Sequence, residues 1–278
     1  HFRMTRNGTR ILMLCLIMML SFAALNAQWL AGYSHRIKIT IDNTKVSGTA
    51  DILNFPVLIS LTENELGTTG NGGEVVNANG WDTKFTESDG STTLDHEIEK
   101  YISTTGEFVA WVRIPILDYN DDTEIYLYFG NSSISANPST TSTWNTNYKG
   151  VWHLHDDFDD ASQYTNHGNN YGSTNVTGKI ADAQYFNGTD SIKIPNHSSL
   201  NITDSITLEA WARVTTTDVN WIITGKYYDY WLWYNTDDLR LYAGGTNLTY
   251  DTLLTIDQWY HFIGTYNRDT MRLYIDGL

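Results

Sequence analysis

Five short motifs follow one another between residues 151 and 278, and they decide the fold of this half of the chain. They read VWHL at 151–154, FNGTDSIKIP at 186–195, LEAW at 208–211, WYHFIGTYN at 259–267 and LYIDGL at 273–278. Short runs of aromatic and β-branched residues that end at Gly, Asn or Asp are typical of strands joined by turns. In the last motif, Asp276-Gly277 favours a type I′ hairpin turn.

The order and spacing of these motifs resemble those of the laminin-G-like, concanavalin A-like jelly-roll lectins. The resemblance covers about residues 144–278 and implies a jelly-roll domain over 148–278. Further strands follow the Asp-Gly turn in that family, so we expect this jelly roll to lack its last strands. The family motif positions also imply that Trp211 and Trp259 pack in the core.

The first half of the chain contains alternating runs of its own. Apolar residues alternate with polar or aromatic ones at 37–41, 108–114 and 125–129, and 55–61 reads as another strand. Pro56 confines that strand to an edge of its sheet or places Pro56 at the strand's start, because proline donates no backbone hydrogen bond. Several short strands separated by turn signals predict an antiparallel sandwich. The fold class is therefore all-β, with two antiparallel β-sandwiches.

Motifs in the first half are similar to those of the bacterial domain of unknown function 2341. The matching motifs are FPVL at 55–58, WD at 81–82, EIE at 97–99, WVRIP at 111–115 and IYLYFGN at 125–131. The resemblance covers about residues 33–131. Members of this family often precede a laminin-G-like domain in secreted or envelope proteins, so the resemblance implies architecture and compartment rather than chemistry.

Residues 1–27 have the composition of a secretory signal peptide. Arg6 and Arg10 precede an apolar run, and small residues end at Ala27. The alternative is a membrane anchor, but about 15 apolar residues is fewer than the roughly 20 needed to span a bilayer. We expect cleavage after Ala27, no membrane insertion afterwards, and a protein located outside the cell or on its surface.

A second boundary is predicted where Ser, Thr, Asn and Pro dominate. No apolar period runs through residues 132–147, which we interpret as a linker between a first domain at 28–131 and the second at 148–278. This linker is predicted to be the stretch most sensitive to protease.

The charge balance narrows the classes of partner. The 278-residue chain carries a formal net charge of −15, and loss of the three leader arginines makes it −18. Such an acidic chain is a poor ligand for nucleic acid or anionic membranes but suits neutral glycans and divalent cations. Cys15, the single cysteine, leaves with the leader, which excludes thiol catalysis and disulfides.

Asp95, Glu97 and Glu99 are the sharpest candidates for catalysis. On a strand these three acids project from one face, as the paired carboxylates of retaining glycosidases do. The order of Asp and Glu is reversed relative to those enzymes, however, and the triplet lies outside the lectin-like half. We interpret it as an ordinary solvated strand face and predict no enzyme and no catalytic residue.

The four aspartates within 156–160 suggest a calcium site. Asp157, Asp159 and Asp160 repel one another, and Ca²⁺ binds six to eight oxygens of this kind. The resemblance to concanavalin A-like jelly rolls, which often hold a structural Ca²⁺, favours the site by analogy. The alternative is that Asp160 and Asn166 form Asx turns while the other aspartates face water.

The aromatic run at 227–235 is the feature best matched to a glycan. If Leu232 faces the core, Tyr230 and Tyr234 accompany it, and Trp231 and Trp233 point to the opposite face. Flat rings complement the apolar C–H faces of sugars. The predicted carbohydrate-binding residues are Trp231, Trp233, Tyr228, Trp221 and Tyr242. The alternative is that these aromatic residues are simply good strand formers.

These observations predict a secreted, non-catalytic protein that binds carbohydrate or mediates adhesion, with a glycan or cell-surface polysaccharide as partner. It would form part of a larger cell-surface or polysaccharide-processing protein. Two alternatives stay open at this point. One is a structural envelope module without a small ligand, and the other is the targeting portion of a glycoside hydrolase whose catalytic domain lies downstream.

Overall fold

The structure, a computed structural model, describes residues 28–155, 157–216 and 220–278. The predicted leader at 1–27 lies outside the described residues. Regular structure is almost entirely antiparallel strand, as predicted, with short 3-10 helices at Asn43–Lys45, Asn64–Leu66, Thr69–Asn71, Thr141–Thr143 and Ser198–Leu200. Among the described residues, no helix has both the length and the apolar character needed to cross a membrane.

The first sandwich contains six strands in two three-stranded sheets. The strands are β1 (His35–Ile41), β2 (Ile52–Thr62), β3 (Lys84–Glu87), β4 (His96–Ile102), β5 (Glu107–Leu117) and β6 (Thr123–Phe129). One sheet has the order β1-β6-β3 and the other β2-β5-β4. Pro56 therefore lies on an edge strand, as expected for a residue that cannot donate to a central ladder.

Alternation along these strands builds the first core. Phe108, Ala110, Val112 and Ile114 of β5 are buried between the sheets, and Ile125, Leu127 and Phe129 of β6 face them. The predicted alternation is confirmed, because side chains of successive strand residues point to opposite faces.

Within 157–216 and 220–278, the second half contains eleven strands. They are β7 (Asn169–Tyr171), β8 (Thr174–Thr177), β9 (Asp182–Tyr185), β10 (Ser191–Lys193), β11 (Ile206–Arg213), β12 (Asn220–Lys226), β13 (Tyr230–Asn235), β14 (Asp238–Ala243), β15 (Thr246–Asp251), β16 (Trp259–Tyr266) and β17 (Met271–Ile275). A four-stranded sheet in the order β12-β13-β14-β15 packs on a three-stranded sheet in the order β11-β16-β17. The pairs β7–β10 and β8–β9 form two small ladders beside them.

The turn after β17 has the predicted conformation. Asp276 and Gly277 both adopt positive φ, at 52° and 82°, as the two central residues of a type I′ turn require. Ile275 and Leu278 exchange both backbone hydrogen bonds at 3.1 Å and close the turn.

Two tryptophans predicted to lie in the second core lie outside it, so that prediction is wrong. Trp211 is 38 % exposed and stacks on His261 at 4.8 Å. Trp259 lies under the Arg213 guanidinium on the same outer face. The core positions of their strands are held instead by Leu208 and Phe262, because β11 and β16 pair in a register that aligns these smaller side chains inward.

The segment predicted as a linker packs against the first sandwich. Thr140 donates its backbone N–H to the carbonyl of His96, and the Ser139 hydroxyl accepts from the N–H of Ile98. Trp144, at the end of the same segment, is only 4 % exposed. The backbone of 139–144 therefore runs along the edge strand β4 and covers part of its sheet.

We expect this packing to protect the segment from proteolysis. A protease needs several residues of unfolded backbone, and here that requires extraction of a buried tryptophan. Brief digestion with a broad-specificity protease, followed by mass spectrometry, should leave 139–144 intact while it cuts exposed loops. Preferential early cleavage inside 139–144 would contradict the packing.

Candidate functional site

Strand β13 separates two faces of the second sandwich. Tyr230, Leu232 and Tyr234 are buried in the core, whereas Trp231 and Trp233 point outward and are half-buried. This is the predicted orientation, and it follows from the two-residue period of the strand once Leu232 faces inward.

The outward rings form a continuous aromatic row. Trp231 stacks on Tyr242 of the neighbouring strand, with centroids 4.1 Å apart and an interplanar angle of 12°. Tyr227 stacks on the Trp231 ring at 6.4 Å. Trp233 lies beneath the Arg240 guanidinium, 4.9 Å from it. We call Tyr227, Trp231, Trp233, Arg240 and Tyr242 the outer aromatic face.

Access to this face differs from ring to ring. The indole N–H groups of Trp231 and Trp233 are buried and have no hydrogen-bond partner among the residues that the structure describes. Tyr227 and Tyr228, at the tip of the β12–β13 hairpin, are instead 69 % and 75 % exposed. The face is therefore most accessible at its hairpin end, where the predicted residue Tyr228 lies.

Trp221 does not lie on the outer aromatic face, so the expectation that it extends this surface is wrong. It pairs with Tyr234 across the β12–β13 ladder, and its ring lies 5.7 Å from the Tyr234 ring against the core. Ile222, the next residue, takes the outward position and is 52 % exposed. Directly paired residues lie on the same side of a sheet. Trp221 therefore faces the core with Tyr234, and Ile222 faces outward with Trp233.

The aspartate loop is organised by protein donors. The Asp160 carboxylate is buried and accepts hydrogen bonds from the backbone of Val151, Ser162 and Asn166 and from the Ser162 hydroxyl. Asp159 pairs with His167 at 2.9 Å, and Asp157 accepts from the backbone of Asp159. These contacts include the Asx turn at Asp160 that was the alternative to a metal.

The hydrogen bonds to Asp160 bear on the calcium hypothesis. Both carboxylate oxygens of Asp160 are already engaged by the protein, which leaves it poorly suited to replace the hydration shell of Ca²⁺. Within the described ranges, no group of three or more His, Cys, Asp or Glu side chains is arranged to hold a metal ion. The calcium site gains no support from this geometry and stays a prediction.

A second cluster was not expected from the sequence. Glu97 and Glu99 project from the outer side of the β2-β5-β4 sheet, where the ladder between β4 and β5 shifts register between Ile98 and Lys100. The indole of Trp144 donates to Glu97 at 2.6 Å, and that of Trp111 donates to Glu99 at 2.9 Å. Asp95, the third acid of the triplet, pairs separately with Arg113 at 2.6 Å.

Two histidines of the segment 151–155 complete this cluster. His153 Nδ1 lies 2.5 Å from Glu99, and its Nε2 lies 3.3 Å from Glu97 without hydrogen-bond geometry, so the second contact is an ion pair. His155 Nε2 lies 3.2 Å from the other Glu99 oxygen. We call the set Glu97, Glu99, Trp111, Trp144, His153 and His155 the junction cluster.

Burial and pairing shift the pKa values in the junction cluster. Burial by itself would raise the pKa of Glu99, but hydrogen bonds from His153 and His155 outweigh it and lower that pKa to about 2. Burial would lower the pKa of His153, but Glu97 and Glu99 raise it to about 10. The pKa of His155 is also raised, first by its hydrogen bond to Glu99. At neutral pH the Glu99 carboxylate is therefore held by the His153 imidazolium.

The segment that carries both histidines is shared between the two halves of the chain. Its backbone is held by the second half: the N–H of Ala161 donates to the carbonyl of Val151 at 2.8 Å, and Gln184 donates to that of His155 at 2.7 Å. Its imidazoles contact Glu97 and Glu99 on the outer face of the first sandwich. The junction cluster thus holds the two halves together through the contacts of Glu97 and Glu99 with the two imidazoles.

One signal in the sequence was available for this cluster. Glu97 and Glu99 are two residues apart, and so are His153 and His155. The two pairs are therefore complementary in charge and spacing. Glu97 and Glu99 project from one face of β4, but Leu154 between the two histidines has φ +59°, so the extended-strand period does not explain how both imidazoles reach Glu99. The alternation alone could not show which segment covers which face.

Comparison with protein families bears on both halves. The family model for the domain of unknown function 2341 matches residues 79–173, and that of the concanavalin A-like lectin/glucanases superfamily matches residues 186–278. The first match includes the segment at 132–147 and the VWHL motif, both of which lie beyond the extent of about 33–131 expected from the motifs. No curated protein and no solved structure gives a significant match to the chain.

These two matches indicate the fold of the chain but not a reaction. One is a superfamily defined by its fold and the other a domain of unknown function, so neither identifies a catalytic family. They agree with the observed architecture of two antiparallel sandwiches. Residues 79–173 are thus similar to the domain of unknown function 2341 and residues 186–278 to the concanavalin A-like superfamily, in the order that the motifs predict.

Proposed function

We propose that this protein is a secreted, non-catalytic carbohydrate-binding or adhesion protein, and that its second sandwich contacts a neutral polysaccharide through the outer aromatic face. The observation that carries the proposal is the stacked row Tyr227–Trp231–Tyr242 on a sheet face turned away from the core. The match of this half to a lectin-like superfamily supports it.

The chemistry of the face suits a polysaccharide. Ring edges and the exposed Ile222 side chain offer apolar surface to sugar C–H groups. Asn247 and Thr249 are exposed and pair with Tyr242 and Arg240, so they lie on the same face and supply polar groups for hydroxyls. An aromatic patch of this kind in contact with water is typical of an interaction surface.

The proposal is tested by affinity electrophoresis of the full chain in gels that contain xylan, mannan, dextran or laminarin. At least one polymer should retard the protein. Tyr227→Ala and Tyr242→Ala should each weaken that retardation about tenfold, which corresponds to about 1.4 kcal/mol of binding free energy.

Tyr171→Ala is the matched control, because Tyr171 is also an exposed strand tyrosine but lies away from the outer aromatic face. This variant should bind like the unmodified protein. Absence of retardation by all four polymers, or equal weakening by the control, would favour a structural envelope module over a glycan-binding protein.

A further inference from the structure

A cleft at one end of the second sandwich leads to an inference that rests on the proposed function and deepens it. We propose that this end cleft binds a single neutral sugar unit, so that the protein recognises a chain end or branch in addition to the polymer surface. The cleft is lined by Asn201, Thr203, Asp204, Tyr228, Asp229 and Gly245 at its rim.

The cleft lies where the two sheets of the sandwich separate. Ile206 and Tyr266 line it from the β11-β16-β17 sheet, and Tyr230 and Ala243 line it from the other sheet. Its volume is about 460 Å³. Small-molecule sites in proteins span about 300–1,000 Å³ and combine an apolar floor with a few polar groups, which is the composition found here.

The charges around the cleft are paired. Asp204 contacts the guanidinium of Arg268, and Asp229 lies 3.1 Å from the Lys226 ammonium, which also contacts the Asn201 side chain. Each carboxylate has its own cation, so the rim offers donors and acceptors without net charge. A neutral polyol can exploit such a rim, whereas an ionic ligand would have to displace an existing partner.

Tyr228 stands at the mouth of the cleft in an unusual conformation. Its φ is +71°, a left-handed value that costs a bulky L-residue about 1–2 kcal/mol. Its ring is 75 % exposed and lies 4.1 Å from the Tyr227 ring. Tyr228 lines the cleft, and its ring lies beside Tyr227 at the end of the aromatic row, so that one saccharide chain can contact both surfaces.

The test uses saturation-transfer NMR of the full chain with glucose, galactose, mannose and N-acetylglucosamine. At least one monosaccharide should receive saturation. Tyr228→Gly removes the ring and tolerates the positive φ, so it should weaken this binding about fivefold or more, about 1 kcal/mol, without loss of stability. Gly245→Asn adds a side chain at the rim and should weaken it similarly.

Gly277→Asn is the matched control for the rim variant. Gly245 and Gly277 have φ of +80° and +82°, and a Cβ at either position meets no atom within 4 Å, but Gly277 lies outside the cleft. The control should bind monosaccharides like the unmodified protein.

The possible outcomes separate the two proposals. Polysaccharide retardation without saturation of any of the four monosaccharides overturns the cleft and leaves the outer aromatic face standing. Saturation that survives both Tyr228→Gly and Gly245→Asn also overturns the cleft. If the unmodified protein shows neither retardation by a polysaccharide nor saturation of a monosaccharide, the proposed function itself is overturned.

Discussion

Replacing His153 with alanine is expected to destabilise the protein by about 3 kcal/mol or more. Its imidazole lies 2.5 Å from the Glu99 carboxylate, whose side chain is only 4 % exposed. Removal of one partner from a buried ion pair typically costs about 3–5 kcal/mol, because the other charge stays buried without compensation. His155 still contacts Glu99, which sets our expectation at the lower end. Urea unfolding followed by tryptophan fluorescence measures the change.

His35→Ala provides the matched control, because His35 also contacts a glutamate of the first sandwich's half of the chain. His35 lies 3.8 Å from Glu74, but both side chains are more than a third exposed. Solvent screening limits such surface pairs to about 0–1 kcal/mol, so this substitution should change the unfolding free energy little. Equal effects of the two substitutions would show that the junction cluster is not a buried ion pair.

Stability is also expected to depend on pH through the junction cluster, with its contribution largest between about pH 4.5 and 6.5. The pKa of His153 rises from 6.5 to about 10 on folding, so its stabilisation is complete below pH 6.5 and is lost as pH rises through about 10. The pKa of Glu99 falls from 4.5 to about 2, so its stabilisation is present above pH 4.5 and is lost as pH falls through about 2.

The alkaline limb gives the sharper measurement. Between pH 6.5 and about pH 10, His153 is protonated in the folded protein but not in the unfolded chain. The folded protein then holds one proton more, so the unfolding free energy should fall by about 1.4 kcal/mol per pH unit. Subtracting the profile of His153→Gln removes the contribution of other groups. A difference that stays constant between about pH 7 and about pH 9 would contradict the raised pKa of His153.

Much of the fold could be predicted from the sequence because strand alternation is a local property. The inward positions of Phe108 and Leu127 follow from it, and so does the outward position of Trp231 once Leu232 faces the core. The Asp276-Gly277 turn is equally local, since few residue pairs accept two successive positive φ values.

The errors arose where burial depends on distant segments. Trp221 and Ile222 are both strong strand formers, and only the pairing of β12 with β13 decides which of them faces the core. Trp211 likewise lies outside because Leu208 and the facing β16 residues fill the interior. Residue type indicates that a side chain can be buried, whereas the register of a ladder decides whether it is.

The junction cluster shows the same division most clearly. The sequence by itself determined two antiparallel sandwiches, the type of turn after β17 and the aromatic character of the candidate glycan surface. Only the tertiary structure decided that Glu97 and Glu99 are covered rather than solvated, because the residues that cover them, Trp144 and His153, lie about fifty positions away. Local patterns specify the two faces of a strand, but long-range packing specifies which face meets water.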